Sequence, residues 1–297
     1  MSSKQEWPGT TYGSSWMHRW LIKMLKHIDP RAIYVFVAIF VVPVCLLVNP
    51  GQKVIYHYFR KIWKYSPWRS FLLTYKNFYL FGQVVVDKFA MYAGKKFDID
   101  IEGYEHFLHL VEQSDGFLQL SAHIGNYEIA GYSLVAKQKK FNALVFGGEK
   151  ASVMENRNKM FDGTNIHMIG VKDDMSHLFE INTALEQGEI VSMPADRFVG
   201  SAKFIPLSFL GVTAHFPMGP FSVAVSRSLQ VLAVNVMKTS AEGYKIYVTP
   251  LRYDSQAAKT TQIRQLAQSY VDELERVLKL YPEQWYNYYE FWNNGSN

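Results

Sequence analysis

Cysteine is nearly absent: the 297-residue chain has one, Cys45. A disulfide framework within the chain is excluded, and a thiol inside an apolar run reads as a buried, inert side chain. Acidic residues are scarce at one end. Residues 1–96 carry three Asp/Glu against 14 Lys/Arg, a net of +11, whereas residues 97–297 carry 23 against 17, a net of −6. Internal repeats, low-complexity blocks and a clear interdomain linker are missing. With 48% hydrophobic and 15% aromatic residues, disorder is excluded as the main state. Several functional signatures are missing too. No G-x-S-x-G elbow surrounds Ser121, which sets a serine hydrolase aside. "GGEK" (147–150) is too short for a phosphate loop. His167, His177 and His215, even with Glu128 or Asp173, follow no zinc spacing, so no metal site is expected.

What is present begins with "AIYVFVAIFVVPVCLLV" (32–48), inside a charge-free interval from Arg31 to Lys53. Such basic segments attract nucleic acid or anionic membrane, and this apolar run decides for membrane. As a helix it measures about 25 Å, just under the roughly 30 Å hydrocarbon core, and Pro43 should kink it. It lacks the small-residue cleavage site of a signal peptide and lies deep in the chain for one. Arg19, Lys23, Lys26 and Arg31 precede it; Lys53, Arg60, Lys61 and Lys64 follow. Positive flanks on both sides fit a kinked or re-entrant helix held to one leaflet, with Trp16, Trp20, Trp63 and Trp68 at headgroup level. The alternative is a buried core helix of a soluble protein.

From residue 97 the pattern changes. "FDIDIEG", "GFLQLSA", "FNALVFG", "NIHMIG" and "EIVSMPA" read as strands. The stretches between them, "YEHFLHLVEQ", "NYEIAGYSLVAKQKK", "SVMENRNKMF" and "DDMSHLFEINTALEQG", read as helices. This alternation predicts an α/β fold with a central, largely parallel sheet flanked by helices. After a loop, "DRFVGSAKF", and a short apolar stretch, "IPLSFLGV", a helix is expected over "FPMGPFSVAVSRS", entered at Pro217–Pro220. "LQVLAVNVMK" and "YKIYVTPL" read as the last strands, with a possible hairpin turn at Glu242-Gly243. Ile263, Leu266, Ala267, Tyr270, Val271, Leu274, Val277 and Leu278 mark a long amphipathic helix, with Thr260 or Thr261 as its cap. The expected division is 1–96, a helical membrane-attachment region, and 97–297, an α/β domain.

"SAHIGNYEIAGYSL" (121–134) carries the candidate chemistry. His123 ends a predicted buried strand, where ligands gather in open α/β sheets, and Asn126 is placed as the N-cap of the next helix. Glu128 falls in that helix's first turn. Residues five apart do not meet on a continuous helix. They can meet if His123 lies in the turn and Gly125 lets the backbone fold tightly. A carboxylate beside the imidazole would fix its tautomer and make it a general base toward a hydroxyl. The same six residues also serve as a plain helix cap.

"HIGNYE" resembles the H-x4-D/E block of membrane glycerolipid and lipid A acyltransferases, and is especially similar to the late acyltransferases of lipid A biosynthesis. "MPADRFVG" (193–200), "IPLSFLGVTAHFPMGP" (205–220) and "YPEQWYNYYEFW" (281–292) resemble further family segments in order. The Phe-Pro-Glu-Gly-Thr-like block of the glycerol-phosphate branch has no counterpart, since the corresponding region reads "SMPADRF".

The resemblance implies an O-acyltransferase on the cytoplasmic face of an inner membrane. It would move a fatty acyl chain from acyl carrier protein or acyl-CoA to a hydroxyl of a lipid A precursor or related glycolipid. No cofactor and no nucleic-acid partner are implied. His123 would be the base and Glu128 its orienting carboxylate, with amides around Gly125 and Asn126 holding the oxyanion. Arg157 would bind a phosphate or support the oxyanion, or be an ordinary surface arginine. Asp196 would position, and Arg197 and Lys203 would hold acceptor phosphates or form an exposed loop pair. The C-terminal aromatic cluster would line the acyl groove, lie at the membrane interface, or pack as core. Other open readings are the same chemistry on an aminolipid, phospholipid or polyene pigment, and a non-catalytic membrane-binding relative.

Overall fold

Proline in mid-helix removes an amide and crowds the carbonyl four residues back, so the run around Pro43 needs a local remedy. The structure, a computed structural model, describes residues 14–134, 136, 138–145, 155, 164–172, 174–197 and 203–292. The chain divides into two compact units. One comprises Met1–Asp98, Gly148–Asp162 and Tyr281–Asn297; the other comprises Ile99–Gly147 and Gly163–Leu280.

In the first unit, Ser14 caps α1 (Ser15–Leu25) by accepting from the Met17 amide. Asp29 caps α2 (Pro30–Phe36), which passes through a π turn, Val37–Val41, into α3 (Val42–Val48). The Val42 amide donates to the Val37 carbonyl, and this five-residue step makes room for Pro43. The proline is thus absorbed, and Pro30–Val48 forms one 19-residue apolar helix. Cys45 on it is half-buried rather than fully buried.

Next come α4 (Gly51–His57), a second π turn (Tyr58–Ile62) and α5 (Pro67–Tyr92), capped by Ser66 with Pro67 in its first turn. One side of the apolar helix packs on α5. The Tyr34 hydroxyl donates to Asp87, the Tyr75 hydroxyl to the Ala38 carbonyl, and Val37 lies against Gly82. The opposite side is open: Val35, Phe36, Ile39, Phe40, Val44, Leu47 and Val48 are exposed.

The C-terminal tail corrects the expected 97–297 domain. Asn77 Nδ2 on α5 donates to the carbonyls of Glu283 and Trp285, both at 2.9 Å, and Asn77 Oδ1 accepts from the Tyr288 hydroxyl. Trp285, Tyr286 and Phe291 are buried, and Trp285 stacks edge-on against Tyr58. Of the readings for this cluster, core packing within the helical unit is the one observed.

The second unit is built on a seven-stranded sheet. Its strands are β1 (Asp98–Glu102), β2 (Phe117–Ser121), β3 (Phe141–Val145), β4 (Ile166–Gly170), β5 (Ile190–Pro194), β8 (Val231–Lys238) and β9 (Gly243–Leu251). Their order is β1-β9-β8-β2-β5-β3-β4. β8, β2, β5, β3 and β4 run parallel, and β9 returns antiparallel to β8 after the turn that ends at Gly243. β2 and β8 are buried at every position, as expected of strands covered on both faces. Helices α6 (Tyr104–Glu112), α7 (Glu128–Ser133), α8 (His177–Glu186), α9 (Gly219–Ser226) and α10 (Lys259–Leu280) complete the unit. On α10, Leu266, Ala267, Tyr270, Val271, Leu274, Val277 and Leu278 are buried, while Thr260 and Thr261 lie inside its first turn rather than capping it.

Two expectations fail locally. Instead of a short apolar stretch, residues 204–217 form an antiparallel hairpin, β6 (Phe204–Phe209) and β7 (Val212–Pro217), closed by Leu210 and Gly211, both at positive φ. Phe216 and Pro217 therefore belong to a strand, and the following helix starts at Gly219. Helix α7 stops after six residues instead of continuing through 140. The chain has to return to β3, and Lys139 fastens that return. Its buried Nζ donates to the carbonyls of Ser114, Asp115 and Gly188. The helix expected over 152–161 lies outside the described residues, apart from Glu155.

Candidate active site

The parallel register of β2 and β5 sets the geometry. Ser121 pairs with Pro194, and one step further the Ala195 amide donates to the Ser121 carbonyl at 2.9 Å. His123 and Asp196 therefore leave the carboxyl ends of neighbouring strands side by side, where open α/β sheets place their ligands.

The Asp196 carboxylate holds the histidine twice. Oδ1 lies 2.8 Å from His123 Nδ1, and Oδ2 accepts from the His123 backbone amide at 2.9 Å. Asp196 is 1% exposed and the imidazole 21%. Burial alone would raise the Asp196 pKa. The facing His123 charge, its hydrogen bonds and Arg197 outweigh that and hold the carboxyl below its ordinary value. An ionised carboxylate only accepts, so Nδ1 carries the ring proton and Nε2 presents the lone pair. Burial also pushes the His123 pKa below 6.5, assisted by Arg197 and opposed by Asp196. The ring is consequently neutral and basic at pH 7.

The turn after His123 depends on a missing side chain. Gly125 has φ +51°, and a Cβ there would lie 1.8 Å from the Val236 carbonyl oxygen. The next amide, of Asn126, donates to that oxygen at 2.8 Å. Of the two amides expected to hold an oxyanion, Asn126's is therefore committed to β8. Nor does Asn126 cap the helix: its side chain donates to the Tyr244 hydroxyl at 3.3 Å, and α7 has no side-chain cap. Tyr127, exposed, sets its ring edge-on to the imidazole with centroids 5.7 Å apart.

The sequence pairing of His123 with Glu128 is not the observed one. Glu128 opens α7, half-buried, and the imidazole's carboxylate partner is Asp196. The positive-φ turn directs the chain onto β8 rather than winding it back, while strand register brings residue 196 opposite 123. Arg197 is half-buried beside the pair, and Lys203 stands exposed just before β6. Arg157 lies outside the described residues.

Among the described residues no three His, Cys, Asp or Glu side chains cluster for a metal. His167 faces Glu180 at 3.9 Å, His177 Nδ1 accepts from the Lys172 amide, and His215 stacks on Phe204.

Sequence reasoning missed Tyr244 and Tyr270 as parts of the site. Tyr270 was legible only as an apolar position on α10, yet its hydroxyl donates to the Ser121 carbonyl at 2.9 Å.

No curated protein matches the chain. Among solved structures it is similar to the 1-acyl-sn-glycerophosphate (LPA) acyltransferase PlsC from Thermotoga maritima. Identity is 13% and the TM-score 0.41, over 92% of this chain and 100% of that one. The family described as bacterial lipid A biosynthesis acyltransferase matches residues 77–293, which include the whole His123–Asp196 site. The chain belongs to that family and is an acyltransferase.

Proposed function

We propose that the protein transfers a fatty acyl chain from an acyl thioester to a hydroxyl of a lipid A precursor or related glycolipid, with His123 as general base. The observation that carries the reading is the His123–Asp196 pair at the carboxyl edge of β2 and β5. In the reaction, His123 Nε2 takes the acceptor's hydroxyl proton as the oxygen attacks the thioester carbonyl. The imidazolium is stabilised by Asp196. Collapse of the tetrahedral intermediate forms the ester, breaks the C–S bond, and passes the proton to the departing thiolate. Nothing is oxidised or reduced, and the chemistry asks for no cofactor. Acyl carrier protein and acyl-CoA both supply such a thioester. Arg197, together with Arg157 and Lys203, is assigned to anionic groups of the substrates.

Membrane attachment through residues 1–96, on the cytoplasmic face of the inner membrane, belongs to the same proposal. It is supported by the open apolar side of Pro30–Val48, by exposed Trp16, Trp20 and Trp68, and by the excess of basic residues.

The test is a transfer assay in detergent, offering labelled acyl thioesters to a lipid A precursor and to a total lipid extract. Wild type should label the lipid A species, and His123→Ala should lose at least about 10²-fold in rate while keeping its thermal midpoint. Labelling confined to an aminolipid, phospholipid or pigment would keep the chemistry and reject the acceptor. Undiminished labelling by His123→Ala would reject the mechanism.

A further inference from the structure

Beyond Ser121 and Pro194 the β2–β5 ladder has ended, and the two residues that must meet lie past that end. Their spacing depends on what fixes the last carbonyl. The Ser121 carbonyl accepts from the Ala195 amide and from the Tyr270 hydroxyl, both at 2.9 Å, and the Ala195 amide also bears on the phenol oxygen. Ser121 precedes His123 by two residues, and Ala195 immediately precedes Asp196. One buried oxygen from α10 thus spans the seam between the strands at the point where both release the site.

The phenol is itself held. Tyr270 is 1% exposed, and its ring packs on Phe216 of β7 and Phe221 of α9, with centroids 6.3 and 5.6 Å apart. Burial first, and the neighbouring Asp196 charge second, push the Tyr270 pKa well above its ordinary value of 10.0. The hydroxyl is therefore a donor throughout any working pH range.

We propose that Tyr270 is a positioning residue for acyl transfer: its hydroxyl ties the ends of β2 and β5 to α10, keeping His123 and Asp196 at hydrogen-bond distance during turnover. The proposal rests on His123 being the base. Its physical basis is the steep dependence of proton transfer on placement, where about 1 Å of misplacement costs up to roughly 10²-fold.

Tyr270→Phe keeps the ring and removes only the hydroxyl. In the detergent transfer assay its kcat should fall about tenfold, with KM for donor and acceptor within about twofold of wild type. The acid limb of the pH–rate profile should move to lower pH. Facing His123 are Asp196 and Arg197 from the end of β5 and Tyr127 from the turn into α7, while the Tyr270 phenol of α10 neighbours Asp196 and donates to the Ser121 carbonyl. Of these Asp196 alone raises the imidazole's pKa, so loosening that contact leaves burial and Arg197 to lower it further. In an Asp196→Asn background the same substitution should cost little more. Phe221→Leu, which frees the ring but keeps the hydroxyl, should move the limb in the same direction by less, and serves if Tyr270→Phe does not fold. Wild-type kcat and pH profile in Tyr270→Phe, or a full additional loss in the Asp196→Asn background, would overturn the proposal. Full activity in His123→Ala would instead overturn the underlying reading. Loss in His123→Ala with an intact Tyr270→Phe would overturn only the role of Tyr270.

Discussion

Two helices of similar length, Pro30–Val48 and α10, handle their apolar residues in opposite ways. Alpha10 buries Leu266, Val271, Leu274, Val277 and Leu278 and turns Arg264, Asp272, Arg276 and Lys279 outward. An 18-residue window of Pro30–Val48 has mean hydropathy 2.6 and only 17% of it buried, and beyond Arg31 the helix carries no charge at all. Periodicity separates them: a helix apolar on one stripe is made for a protein core, while one apolar all round needs an apolar surrounding on every side. One side of Pro30–Val48 meets α5. For the other, the surrounding assigned above is lipid.

The contrast can be broken by placing carboxylates in each helix, one in α10 and two in Pro30–Val48. Leu274→Asp puts an uncompensated carboxylate into the core beside the sheet and should cost several kcal/mol, enough to abolish the cooperative thermal transition. Leu47→Asp with Phe40→Asp changes side chains that are 86% and 59% exposed. The thermal midpoint in detergent should stay within a few degrees of wild type, while binding to anionic phospholipid vesicles falls by about tenfold or more. Unfolding of the Leu47/Phe40 variant, or unchanged vesicle binding, would remove the distinction between the helices.

What could be read from the chain divides along similar lines. Beta2, β5 and β8 announce themselves as predominantly apolar runs, and α10 by its 3.6-residue stripe, because burial on both faces or on one face writes itself into consecutive residues. The β6–β7 hairpin was equally written, in the alternation of buried Ile205, Leu207 and Phe209 with exposed Phe204, Pro206 and Ser208, but that alternation was read only as a short apolar stretch and Pro217 as a helix entry, and proline is uncommon inside strands. A hairpin outside the main sheet tolerates both.

The site was half legible. His123 and its strand end follow from local pattern, whereas Gly125 was singled out for a turn that would bring Glu128 to His123 and is needed instead for the close approach to the Val236 carbonyl. The partner carboxylate does not, since Glu128 is five residues away in sequence and Asp196 is 73. Choosing Asp196 requires knowing that β5, not β3, lies beside β2, and strand order is a property of the whole sheet. Tyr270 was hidden for a different reason. A buried tyrosine on an apolar stripe looks like any other core residue until the group its hydroxyl reaches is known.

The most direct test of the central claim, that Asp196 orients and polarises His123, is the NMR titration of His123 with isotope-labelled histidine. It compares wild type, Asp196→Asn and Glu128→Gln in detergent. The wild-type ring should titrate below 6.5, since burial outweighs the carboxylate. Asp196→Asn removes the group that raises the value, so the titration should move further down, by about one pH unit. Glu128→Gln should leave it in place. A downward move in Glu128→Gln with none in Asp196→Asn would contradict the account and return the carboxylate's role to residue 128.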